Sequence, residues 1–227
     1  MTVNFDPADD FAKVADGAES VTLLRRGSTP GSGTVIAHAL RRAADTDEAG
    51  IRNRYNTRKR PPSDGRYTAG DCDWHLPTEE LSDAPRPGDV ILDGDGRRWT
   101  VLEVKAATLQ SRWQCKSRNL AITHGLDDTI SILQATYAKG DAGAAEPTWR
   151  TWRTGIRARI QKAETKIVVE NDVKKTTQRV QIFVEEDLEL DHTHAVRGPD
   201  GTVYRVRGTL GAERIGQLQT IDAEITS

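Results

Sequence analysis

Little in these 227 residues is abundant enough to name a class. Aromatic residues make up only 5% of the chain, and five of them are Trp. So thin a supply argues against one large core and for two small ones, each in a unit of about 100 residues. Cysteine occurs twice, at Cys72 and Cys115. Two thiols in a chain of this length do not make a disulfide scaffold, and a reducing compartment is the default expectation. No run of 18 apolar residues occurs, so the sequence offers no helical membrane span. The opening MTVNFDPADD has neither a basic nor an apolar stretch and does not read as a signal peptide. The formal net charge is −2, which gives no global pull on nucleic acid or on acidic membranes. Any such role has to rest on a local cluster.

What the chain does have is repetition. GDGRRWTV (94–101) and PDGTVYRV (199–206) both place an Asp-Gly turn before an aromatic and alternating valines. Asp95 and Asp200 are 105 residues apart (200 − 95). Asp-Gly between alternating apolar runs is the strongest short hairpin signal, and alternation puts Trp99 with Val101, and Tyr204 with Val206, on one strand face. The match extends outward. GDVILD (88–93) answers HAVRGP (194–199), and SRWQCKSRNLAI (111–122) answers IGQLQTIDAEI (215–225), with Trp113 opposite Leu218. Upstream, Cys72, Trp74 and Leu76 answer Val180, Ile182 and Val184. TVIAHALRRA (34–43) answers TGIRARIQKA (154–163), with Ile36, His38 and Leu40 facing as Ile156, Ala158 and Ile160 do. The first strands are VTLLRRG (21–27) and TISILQAT (129–136).

Matched segments in one order predict a tandem duplication. The fold class is mainly β: two small barrels or compressed sandwiches of five or six strands, since closure protects strand edges. The expected domains are a first unit at 18–125 and a second at 126–227. Before them comes an N-terminal arm or short helix at 1–17, with Asp6 as cap, Pro7 in the first turn and Gly17 at the end. STPGSG (28–33) and KGDAGAAEP (139–147) read as loop tips. ETKIVVENDVKKTTQ (164–178) reads as a long loop of mixed sign.

Catalytic signals are scarce. DHTH (191–194) sets His192 and His194 at a spacing that suits one metal, but no third ligand stands at useful spacing, and a solvated strand start is the simpler reading. In DCDWH (71–75), alternation sends Cys72 to one face and Asp71, Asp73 and His75 to the other, which opposes a Cys–His nucleophile pair. His38, on an apolar face, reads as a core histidine. There is no Gly-rich phosphate loop and no serine elbow. The expectation is a protein that is not an enzyme, with no cofactor and no metal.

The pronounced charge feature is IRNRYNTRKR (51–60), which carries Arg52, Arg54, Arg58, Lys59 and Arg60 around Tyr55 with no acid. Such a loop suits phosphates or an acidic partner protein; a solvated loop is the bland alternative. A two-module nucleic-acid-binding protein is therefore a second class of reading, although such a protein is expected to be basic over a whole face.

The second unit resembles the head–tail joining proteins of tailed bacteriophages, the small β-barrels called head-closure, stopper or adaptor proteins. WRTGIRARIQKAE (152–164), RVQIFVEEDLEL (179–190), VRGPDGTVYRVRGT (196–209) and GQLQTIDAEI (216–225) carry the resemblance. TVIAHALRRA and GDVILDGDGRRWTVLEV carry it more loosely in the first unit. The resemblance implies a virion protein of the neck: a ring, hexameric or dodecameric, that joins the portal to the tail and lets genomic DNA pass. It implies a portal or adaptor protein on one side and a tail or tail-terminator protein on the other, with assembly in the host cytoplasm and no membrane. A tail terminator or another neck component is the near alternative. The family usually has one such unit per chain, so the duplication is a departure.

Overall fold

In a computed structural model, residues 17–27, 31–43, 70–139, 145–170 and 173–226 are described. The chain forms two compact units, Met1–Thr123 and His124–Ser227. Unit 1 contains β1 (Glu19–Leu24), β2 (Thr34–Ala43), β3 (Asp71–Pro77), β4 (Val90–Leu92), β5 (Arg98–Ala106) and β6 (Arg112–Arg118), followed by a short helix α1 (Leu120–His124). Unit 2 contains β7 (Asp128–Lys139), β8 (Ala145–Glu170), β9 (Val173–Val184), β10 (His194–Arg197), β11 (Val203–Leu210) and β12 (Gln219–Thr226). Each set of six closes into an antiparallel barrel. The orders around the barrels are β1-β2-β3-β6-β5-β4 and β7-β8-β9-β12-β11-β10, which is one topology written twice.

The registers match at the central core pairs. Ile91 pairs with Trp99 across β4–β5, and Val196 pairs with Tyr204 across β10–β11. Trp74 pairs with Cys115, and Ile182 with Ile221. The two cores are therefore built from equivalent positions. Val21, Leu23, Ile36, Cys72, Trp74, Leu76, Ile91 and Val101 line the first. Ile130, Ile132, Ile156, Val180, Ile182, Val184, Val196 and Val206 line the second, with Ile160 and Tyr204 half-buried against it. The unit 1 core uses its tryptophans for bulk: Trp74 and Trp99 meet edge to face with centroids 6.3 Å apart, a favoured aromatic geometry. Unit 2 fills the same two places with Ile182 and Tyr204.

Three sequence expectations are corrected by this register. Trp113 is not the counterpart of Leu218. Val101 faces Ser117, 16 residues on (117 − 101), whereas Val206 faces Ala223, 17 residues on (223 − 206). The second unit holds one extra residue here, so Trp113 corresponds to Gln219. His38 is not a core histidine. Glu19 pairs with Ala39 and Val21 with Ile36, so three residues of β2 span two of β1. This bulge turns Ala39 inward and His38 outward. The His38 side chain is 49% exposed, and its Nδ1 lies 2.6 Å from Glu80 Oε1. In unit 2 the equivalent pairs are Asp128 with Ala158 and Ile130 with Ile156, with no bulge. Finally, 164–178 is no simple loop. The β8–β9 ladder runs past the barrel to a Glu170–Val173 pair, with Asn171-Asp172 between them.

β8 has a second peculiarity. Its first half pairs with β7 and its second half with β9, and the exchange falls at Ala158. Gly155, at φ +75°, sits where the β7–β8 register shifts. A left-handed residue there favours glycine.

Candidate functional site

The basic run Arg52, Arg54, Arg58, Lys59 and Arg60 lies outside the described residues, as do residues 1–16 of the N-terminal arm. By chain order the run falls between β2 and β3, the connection that in unit 2 joins β8 to β9.

The DCDWH segment is β3. Cys72, Trp74 and Leu76 face the core. The other face is also largely closed to solvent, with Asp73 2% and His75 9% exposed. Asp71 accepts two hydrogen bonds from Arg118, Nε at 2.7 Å and Nη2 at 2.9 Å. Gln114 Nε2 donates to Asp73 at 3.3 Å. Burial first, and then the Arg112 and Arg42 charges, push the His75 imidazole down to about 4. Burial pushes both thiols, Cys72 and Cys115, up to about 12. Cys72 is thus a protonated core thiol on the strand face opposite His75, a poor start for nucleophilic chemistry.

His75 gives unit 1 an acid sensitivity. Its folded-state value is below the ordinary 6.5, so its contribution to stability is complete above pH 6.5 and declines as the pH falls towards 4. At about 1.4 kcal/mol per unit, the loss over that window comes to about 3 kcal/mol. The position equivalent to His75 in unit 2 is Phe183. Urea unfolding followed through the two thiols, both in unit 1, is expected to show this decline in the native chain. A His75→Phe variant is expected to show a decline about 3 kcal/mol smaller.

The ends of the two barrels differ. In unit 1 Asp89, 2% exposed, accepts from Arg25 Nη1 at 2.8 Å, Arg26 N at 3.1 Å and Arg86 N at 2.9 Å. The same position in unit 2 is His194. Its Nδ1 lies 2.8 Å from Asp191 Oδ1, and its ring packs 5.3 Å from Trp152. Hydrogen bonds from Thr193, and then His194, hold Asp191 down at about 2. His192 is exposed in the turn before β10 rather than on a strand face. Among the described residues no three His, Cys, Asp or Glu side chains gather to hold a metal.

The two Asp-Gly turns share a backbone but not an anchor. Gly96 N donates to Asp93 O at 2.9 Å, and Gly201 N to Gly198 O at 3.1 Å. In unit 1 the buried Asp93 carboxylate takes hydrogen bonds from Trp99 Nε1 at 3.0 Å, Arg97 N at 2.8 Å and Arg41 Nη1 at 3.2 Å. Arg41 also lies 5.6 Å from the centroids of both Trp74 and Trp99. In unit 2 Gly198 stands where unit 1 has Asp93; a Cβ there would lie 3.0 Å from Asp200 Oδ1 and 3.3 Å from the Tyr204 ring. Asp200 takes over the turn, accepting from Thr202 N at 3.0 Å and Oγ1 at 2.8 Å.

These polar groups brace turns and barrel ends. Exposed large apolar side chains include Tyr137, Trp152 and Leu210 in unit 2, and Val35 and Leu109 in unit 1. Alternation alone does not identify Trp152 as exposed. It is the extra residue of a β8 bulge, where Ile132 pairs with Arg153 and Leu133 with Thr151. Comparison with family models, with curated proteins and with solved structures gives no match.

Proposed function

We propose that this protein is a non-enzymatic virion part. Copies form a ring at the neck of a tailed bacteriophage, joining the portal of the DNA-filled head to the tail and letting the genome pass. The observation that carries this reading is the pair of closed six-stranded barrels of one topology, with β8 running past its barrel in ribbons paired to β7 and β9. That is the architecture the resemblance implies, doubled within one chain. A ring needs rigid units that resist opening and projecting segments that reach a neighbour. Closed barrels supply the first and the ribbons the second. The basic run at 51–60 docks on an acidic neighbour, the portal or the next copy. Double-stranded DNA must slide through such a channel, and phosphate grips by Arg would resist sliding.

The test is electron microscopy of the particle, with counting of copies per particle by mass. The expected result is density for the chain between portal and tail in six or twelve copies. Particles whose copy number fits neither, or which attach tails normally when the chain is deleted, would refute the reading.

A further inference from the structure

Trp152 takes no part in the unit 2 core, yet it is braced. The β8 bulge makes it project, and it is 46% exposed. Its ring packs 5.3 Å from the ring of His194, which is 8% exposed. His194 Nδ1 lies 2.8 Å from Asp191 Oδ1, and that oxygen also accepts from Thr193 N at 2.8 Å. The indole is thus backed on one side and open to solvent elsewhere. An indole held this way suits a cation, since Trp is the best aromatic partner for ammonium and guanidinium groups. Arg153, the neighbouring cation on β8, is already held by Glu186.

The chain beside it is acidic. Residues 185–191 read EEDLELD, five acids in seven residues. This segment leads from the end of β9 to the turn before β10, so it crosses the barrel end from Glu186, at Arg153, to Asp191, at His194. Leu188 and Leu190 join the core. Gln219 clamps the Leu188 backbone, accepting from its N–H at 2.9 Å and donating to its carbonyl at 2.7 Å. Asp187, Glu189 and Asp191 are left exposed. Among the described residues no cation pairs with Asp187 or Glu189. The corresponding segment of unit 1, 78–89, differs: it includes Arg86, and Arg25 pairs with its Asp89. The tryptophans of unit 1 are buried or half-buried.

We propose that this rim of unit 2 takes the basic run at 51–60 of another copy, one cation over Trp152 and others at Asp187 and Glu189. Charge complementarity selects the occupant. The rim is acidic and aromatic, and the run carries five cations with no acid. The two halves of the contact are also divided between the units. The run belongs to unit 1, and the matching connection in unit 2 is the β8–β9 turn at Asn171-Asp172. The rim belongs to unit 2. Divergence of the repeat thus gave each barrel one half of a docking pair. Unlike patches on one chain link copies in series, and a series that turns closes into a ring. This inference rests on the ring reading above for its second copy, and the experiment separates the two.

A labelled peptide, IRNRYNTRKR, is titrated onto the full chain in which the five cations of its own run are replaced by Ala. Saturable binding is expected. Trp152→Ala in that chain is expected to weaken it about five-fold, and Trp152→Phe to recover most of the loss. Asp187→Asn with Glu189→Gln is expected to weaken it about ten-fold and to flatten its salt dependence. Asp191 is left in place because it holds the turn before β10. All variants are expected to melt as their parent does. A peptide that binds these variants as well as the parent would overturn the proposal. Chains without the run are then mixed with chains carrying Trp152→Ala, Asp187→Asn and Glu189→Gln. Each lacks one half of the contact, so native mass measurement is expected to show one-to-one pairs and nothing larger. Peptide binding without such pairs would overturn the contact between copies. Rings formed equally by the native chain and by the rim variant would overturn the proposal and leave the ring reading standing. Native assemblies that stop at a reciprocal pair, and that the rim substitutions dissolve, would support the contact and refute the ring.

Discussion

An Ile182→Asp substitution is expected to abolish the fold of unit 2. Ile182 is fully buried at the centre of β9, between Ile160 on β8 and Ile221 on β12. Burial of such a side chain stabilises by about 1.5–3 kcal/mol, all of which is lost. The new carboxylate finds an apolar core of aliphatic side chains with Tyr204 packed against it. It must be desolvated or protonated, which costs several kcal/mol more. The sum is comparable to the whole stability of a small domain, about 5–15 kcal/mol. Ile182→Val, which leaves a methyl-sized gap, is expected to cost only about 0.5–1.5 kcal/mol. The measurement is soluble yield and thermal unfolding of both variants. An Ile182→Asp chain that melts like the native one would show that β9 does not face the core as described.

The positions that carried the duplication in the sequence are those where alternation and turn chemistry coincide. Asp95-Gly96 and Asp200-Gly201 fixed two turns, and each turn fixed the phase of its flanking strands. Trp99 and Tyr204, or Cys72 and Val180, could therefore be paired from residue type alone. Single insertions inside strands could not be read this way. Alternation has a period of two, so one extra residue flips every later side chain while the strand keeps its composition. That is why His38, rather than Ala39, looked core-facing, and why Trp113 was set against Leu218 rather than Gln219. The β8–β9 ribbon was obscured for another reason. Its charged residues read as loop, although Val168, Val169 and Val173 stand on either side of Asn171-Asp172. A shallow groove on unit 2 lined by Ala163, Gly208 and Asp222 left no trace in sequence, since these residues come from three strands and gather only when the barrel closes. The ion pairs at the barrel ends join residues far apart in the chain, as Arg25 with Asp89, and no local pattern announces them.

The thiols give the other large expected effect. With Cys72 and Cys115 pushed up to about 12 by burial, the thiolate fraction at pH 8 is about 10⁻⁴, against about 10⁻¹ for an ordinary thiol near 9. Ionisation alone is thus expected to slow reaction with a disulfide reagent about a thousand-fold in the native chain, before any hindrance from the barrel wall. Both groups lie in unit 1. In urea the reaction is therefore expected to switch on with the unfolding of that barrel and to ignore unit 2. The sign of the pH dependence follows. A thiol whose folded value lies above its unfolded value contributes fully below about pH 9, and its contribution is lost as the pH rises from there towards 12. Each costs about 1.4 kcal/mol per unit across that window, so unit 1 is expected to unfold first in alkali. The Ile182→Asp chain sharpens the test. If its thiols remain protected at pH 8, unit 1 stands without its twin, as a duplicated barrel with its own complete core should. If they react at once, the two barrels fold as one cooperative unit, and the repeat is bound together by more than chain continuity.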